Sequence, residues 1–100
     1  MSAFIYVIGR QQGPVKIGIT KSLGSRLSAL QTGCPFKLSL LAAYERPSWR
    51  NAKAHELFIH GGMEDMRLQG EWFRCDADYA AERIEDSVHM CVEVFGDYPI

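Results

Sequence analysis

The sequence is short of several things at once. It has three cysteines, Cys34, Cys75 and Cys91, odd in number and far apart, with no CxxC pair and no zinc spacing. That excludes a disulfide framework and points to reduced thiols in a cytosol. No apolar stretch approaches the ~20 residues of a membrane-spanning helix, and the N-terminus lacks a signal peptide's charged start and long apolar run. There is no repeat, low-complexity tract or flexible linker. What remains is 100 residues, 47% hydrophobic and 23% charged, which predicts one domain over residues 1–100 around a single core.

The net charge of −1 hides an uneven distribution. Residues 1–55 carry Arg10, Lys16, Lys21, Arg26, Lys37, Arg46, Arg50 and Lys53 against one acid, Glu45. Residues 56–100 carry Arg67, Arg74 and Arg83 against eleven acids. Such asymmetry points to nucleic-acid contact by the basic part, unless the two halves interleave in space and the charges mix.

Local patterns predict the order ββαβαα in an α/β layer with a three-stranded sheet. Phe4–Gly9 and the "VKIGI" run from Val15 read as a hairpin across "RQQGP". Thr20 or Ser22 caps a helix from about Leu23 to Gln31, striped by Leu23, Leu27 and Leu30 and ended by Thr32-Gly33-Cys34-Pro35. "FKLSLLAAY" from Phe36 is the third strand. Ser48 caps a second helix from about Trp49 to His60, stopped by Gly61-Gly62. "GEWF" from Gly70 is a short irregular or extended piece. Asp76 or Asp78 caps a last helix to about Val94, with Tyr79, Ile84, Val88 and Cys91 as buried candidates.

Strand alternation places Tyr6 on the face opposite Ile5 and Val7, and Lys16 opposite Val15 and Ile17. A hairpin brings the phenol and the ammonium to one face. Arg26 lies off the leucine stripe, so the core does not need it. The three together suit a phosphate group; singly, each also fits as rim or solvated surface.

"IYVIG", "VKIGIT", "SRLSALQTG" and "GEWF", in that order and spacing, resemble the GIY-YIG nuclease superfamily, and within it a compact phage and bacterial branch whose second motif reads KIG. The resemblance runs from about Phe4 to Phe73. It implies a three-stranded antiparallel sheet flanked by helices, and a metal-dependent endonuclease. By the same resemblance Tyr6 contacts or deprotonates the attacking water, and Lys16 stands where the second motif usually has tyrosine. An ammonium there would depress the phenol's pKa, or hold the water or a phosphate oxygen. Arg26 stabilises the charge on the transferred phosphoryl group, and Glu71 binds Mg²⁺ or Mn²⁺. Glu56 and His60 match an E-x-x-x-H pair of the branch; His60 serves the scissile phosphate or closes the helix C-terminus. Arg67, four residues before Glu71, pairs with that acid or touches phosphate. Trp72 and Phe73 anchor the backbone beside Glu71. His55 and His89 read as surface or partly packed. The late asparagine of many family members has no counterpart, because Asn51 is the single asparagine here.

The expected partner is nucleic acid, DNA before RNA, along Arg10, Lys16, Lys21, Arg26 and Lys37, with no membrane. No helix-turn-helix or zinc-finger spacing supplies sequence specificity, so a homodimer or a partner protein is expected to. Two other readings stand beside the nuclease: a non-catalytic nucleic-acid-binding module, and a protein-interaction module using the acidic stretch Asp76–Asp97.

Overall fold

The computed structural model describes residues 2–95, with side chains through residue 88. The order is β1 (Ala3–Gly9), β2 (Val15–Thr20), α1 (Leu23–Gln31), β3 (Ser39–Arg46), α2 (Trp49–Gly62), a 3₁₀ turn (Glu64–Met66), β4 (Arg67–Gln69), β5 (Trp72–Phe73) and α3 (Ala77–Phe95). The sheet has five antiparallel strands in the order β3-β1-β2-β5-β4. The expected three strands are its larger part. The two additional strands arise because Gly70, at φ +61°, reverses the chain in a left-handed turn that only glycine adopts freely. β4 then folds back on β5, and β5 pairs with Val15 and Lys16 of β2.

The caps explain the helices. The Ser22 hydroxyl accepts from Ser25 N, starting α1, and Ser48 does the same for Asn51 N at the head of α2. Asp76 caps α3 by accepting from Tyr79 N at 2.8 Å. α2 continues through Gly61 and Gly62, both expected to stop it. β3 starts at Ser39, three residues after its expected start. The Gln31 amide holds that stretch as a loop, donating to the Phe36 carbonyl at 2.9 Å and accepting from Leu38 N at 2.7 Å.

Two apolar layers sandwich the sheet. On one face Ile5, Val7, Val15 and Ile17 pack against Ala52 and Ile59 of α2 and Ala80 and Ile84 of α3. On the other, Tyr6, Ile8 and Leu38 pack under Leu23, Leu27 and Leu30 of α1. Burial of this apolar area is the main stabilising term. α3 buries Ala77, Ala80, Ile84 and Ser87, and Val88 is half-buried. Tyr79, expected inside, is 36% exposed: the cap at Asp76 turns the small residues inward in its place. The expected burial of Cys91 and the expected surface or partly packed placement of His89 lie outside the described side chains.

His55, expected on the surface or partly packed, is instead 1% exposed. Its Nδ1 is 2.9 Å from Ser87 Oγ across the α2–α3 contact, and its Nε2 is buried with no partner among the described residues. Burial first, and then the Arg46 charge, lower its pKa to about 4.

Candidate functional site

The register of the hairpin decides what meets. Tyr6 lies directly across from Gly18, and Ile8 from Lys16, so Tyr6, Lys16 and Gly18 share the face that α1 covers. Gly18 lets side chains close over it. A Cβ there would sit 2.5 Å from Tyr6 Oη and 2.8 Å from Glu71 Oε1. The phenol and the carboxylate therefore converge on a spot that only glycine leaves open.

Ile17 organises the outer edge. Its N–H donates to the Glu71 carbonyl at 3.1 Å, and its C=O accepts from His60 Nε2 at 2.8 Å. One residue of β2 thus ties down both the β4–β5 turn, which carries Glu71, and α2, which carries Glu56. Arg67 Nη2 donates to His60 Nδ1 at 3.1 Å, which fixes Nε2 as the protonated nitrogen. The ring also rests on Phe73, with centroids 5.0 Å apart. His60 is a strut between α2 and the sheet. Arg67 pairs with Glu64 at 3.6 Å, and the expected pairing with Glu71 does not form. The Gly70 turn sends Glu71 away from the strand that holds Arg67.

Tyr6 is fully buried, and its hydroxyl accepts from Arg26 Nε at 3.0 Å. Lys16 Nζ is 3.2 Å from Glu71 Oε1. Glu56, 3% exposed, faces Glu71 and receives Lys53 Nζ at 3.1 Å. An open cleft of about 600 Å³ is lined by Thr20, Lys21, Arg26, Trp49, Lys53, Glu56 and Glu71, and Tyr6 and Lys16 stand behind its wall in contact with Arg26 and Glu71.

The titration of the cluster follows from burial and charge. Burial raises the Tyr6 pKa above that of a free phenol, even though the Arg26 hydrogen bond pulls it down. The expected depression by Lys16 does not occur, because the ammonium is engaged with Glu71. Burial would raise Glu71 as well, but the Lys16 charge and hydrogen bond outweigh it, and its pKa is lowered. Glu56 goes the other way, raised first by burial and then by the neighbouring Glu71 carboxylate, against the pull of Lys53. Two adjacent carboxyl groups are thereby pushed apart in proton affinity.

Glu71 and Glu56 offer two carboxylates at the cleft, and no set of three or more His, Cys, Asp or Glu gathers there or anywhere else among the described residues. Such a sparse carboxylate set fits Mg²⁺ or Mn²⁺, which retain waters and take further oxygens from a phosphate; it does not fit zinc.

Of the residues singled out from sequence, Tyr6, Lys16, Arg26, Glu56 and Glu71 come together, and Lys21 joins them at the rim. Arg10 lies at the far end of β1, its guanidinium 4.9 Å from the centre of the Phe36 ring, and exposed Lys37 follows in the same loop. Asn51 is buried and accepts from Arg46 Nε at 2.7 Å, so it has no place in the cleft. Sequence reasoning passed over Gly18, Trp49 and Lys53. The signal was present: Trp49, Lys53, Glu56 and His60 are spaced four, three and four apart, one face of a helix. The charge asymmetry also persists in space. Lys21, Arg26 and Lys53 line the cleft, with Lys16 behind Glu71, while the exposed acids Asp78, Glu82 and Asp86 lie on α3, behind the other face of the sheet.

Compared with known families, residues 3–94 match the model described as the T5orf172 domain. No curated protein and no solved structure matches the chain. No described helix is long and apolar enough to cross a membrane.

Proposed function

The chain belongs to the T5orf172 domain family, and from that premise we propose that it is an endonuclease of the GIY-YIG type, hydrolysing phosphodiester bonds in DNA with a divalent metal. The domain is found in phage-associated, nuclease-like proteins, which agrees with this reading. The observation that carries it is the convergence of Tyr6 Oη and Glu71 Oε1 over Gly18, with Arg26 and Lys16 in contact with them.

In this reading the scissile phosphate enters the cleft with Arg26 facing it. The Arg26 guanidinium uses Nε on Tyr6 and turns its terminal nitrogens to the charge that grows on the phosphoryl oxygens. Tyr6 Oη, still protonated, orients the attacking water in line. Glu56, of the higher proton affinity, takes the proton lost by that water as its oxygen bonds to phosphorus; the opposite P–O bond breaks, and the leaving oxygen takes a proton back from Glu56 or from solvent. Lys16 offsets the repulsion between Glu71 and the incoming polyanion. Glu71, with Glu56 beside it, would hold Mg²⁺ or Mn²⁺, which when bound supplies Lewis-acid neutralisation of phosphate oxygens. Sequence specificity would come from a second copy or a partner protein.

One observation favours a second reading, a nucleic-acid-binding module without turnover: Lys16 already occupies Glu71 Oε1 at 3.2 Å. Nicking of supercoiled plasmid with Mg²⁺ or Mn²⁺ separates the two. The nuclease reading expects nicking by wild type and none by Glu71→Ala or Tyr6→Phe. Absence of cutting with either metal, on plasmid and on single strands alike, alongside salt-sensitive DNA binding, leaves only the binding module.

A further inference from the structure

Resting on the reading of the cleft as a phosphodiester site, we infer that the strand it takes is unpaired, its bases stacked on aromatic platforms to either side of the scissile phosphate. Trp49, at the mouth of the cleft, is 43% exposed and lies under Lys21, whose Nζ is 5.7 Å from the ring centre. At the other end, Trp72 carries Lys16 Nζ at 5.9 Å, and Phe36, 56% exposed, carries the Arg10 guanidinium at 4.9 Å. Phe36 and Trp72 together line a second, largely apolar groove of about 400 Å³.

β2 connects the two ends. Lys16 pairs with Trp72 across the β2–β5 ladder, Thr20 lines the cleft beside Trp49, and Gly18 stands between. Lys16 and Thr20 are roughly 13 Å apart along an extended strand. The site therefore has a ring and a cation on each flank of the point where Tyr6 and Glu71 meet. Cations take phosphates, and exposed rings take the faces of bases, which is the combination that binds single strands. A phosphate that draws Lys21 and Arg10 away bares the ring beneath each of them. A duplex presents phosphates but keeps its bases stacked inside, and would leave Trp49 and Phe36 without a partner. The charge complementarity and the exposed aromatic surface thus agree on one occupant.

The test is fluorescence anisotropy of the full chain in EDTA, so that nothing is cut, with three labelled probes: oligothymidylate, an abasic strand and a duplex of equal length. Oligothymidylate is expected to bind at least about tenfold more tightly than the abasic strand or the duplex. Trp49→Ala and Phe36→Ala should each weaken it about tenfold, and Trp49→Phe should restore most of the loss. Equal affinity for all three probes, or for none, overturns the inference, as does full affinity in both alanine variants. A protein that prefers oligothymidylate but cuts neither plasmid nor a single strand with Mg²⁺ or Mn²⁺ loses the nuclease reading and keeps this one. The reverse result loses only the unpaired strand.

Discussion

Arg26 Nε stands 3.0 Å from Tyr6 Oη, joining the middle of β1 to the second turn of α1 at the edge of the cleft. The bond points both groups at one place before any substrate arrives. Tyr6→Phe keeps the ring in its layer and removes only the hydroxyl, so stability should change by less than about 1 kcal/mol. Plasmid nicking, by contrast, should fall at least about a hundredfold. Arg26→Lys keeps the charge but loses the fork that reaches phenol and phosphate together, and should fall nearly as far. Initial nicking rates beside thermal melts check both. A Tyr6→Phe protein that cuts normally removes Tyr6 from the mechanism.

Gly18→Ala is the most economical test of the convergence. The added methyl meets Tyr6 Oη and Glu71 Oε1, and the phenol cannot yield, because its ring is fixed between Ile8 and the leucines of α1. The expected cost is about 1–3 kcal/mol in urea unfolding, with nicking abolished in protein that remains folded. A variant of wild-type activity would mean that the two groups need not approach each other.

Metal binding should rest unequally on the two carboxylates. Titration calorimetry with Mn²⁺ is expected to lose its signal in Glu71→Gln and to weaken about tenfold in Glu56→Gln. Affinity should also fall as pH drops, because the raised pKa of Glu56 means that it protonates before Glu71 does. Equal effects of the two substitutions would place the ion between the carboxylates and remove the division of labour proposed for them.

His55 predicts a pH dependence of stability separate from the cleft. Its folded pKa of about 4 lies below the ordinary 6.5, so the unfolded chain binds the extra proton between these values. Stability from the neutral, buried ring is then present above pH 6.5 and lost as pH falls towards 4. The loss between pH 7 and pH 5 is roughly 2 kcal/mol. Urea midpoints of wild type and His55→Gln at both pH values measure it, the variant lacking this part of the slope. Parallel slopes would show that His55 does not titrate this way.

Where short-range chemistry decides a boundary, the sequence is readable. α1 begins at Leu23 because Ser22 caps it, and ends at Gln31 before a glycine-proline stretch that no helix continues through. The hairpin and the start of α2 at Ser48 are legible for the same reason. β4 and β5, at three and two residues, are too short to show a period, and exist only because β2 offers them an edge. His55 sits in a helix with no continuous apolar stripe, and only the arrival of Ser87 from α3 makes its burial tolerable. In the site, Tyr6, Lys16 and Arg26 were legible as a converging set from strand alternation and helix phase. Glu71 and Glu56 were legible only through motif resemblance. Gly18 lay inside the KIG motif yet has no side chain to draw notice. What Lys16 touches depends on the Gly70 turn, which brings Glu71 within reach and leaves the phenol to Arg26.

The cleft and the groups behind it come from scattered elements: Tyr6 from β1, Lys16, Gly18, Ile19 and Thr20 from β2, Arg26 from α1, one helix face from α2 and Glu71 from the β4–β5 turn. A ribosome that has released Tyr6, Lys16 and Arg26 has made no cleft, because Glu71 is still to come. Closing over Gly18 waits on the last strand pairing of the sheet. The cleft is thus complete only with the β2–β5 pairing, the most distant along the chain among the described strands, and a chain cut short before Glu71 would leave Lys16 and Glu56 without their partner carboxylate.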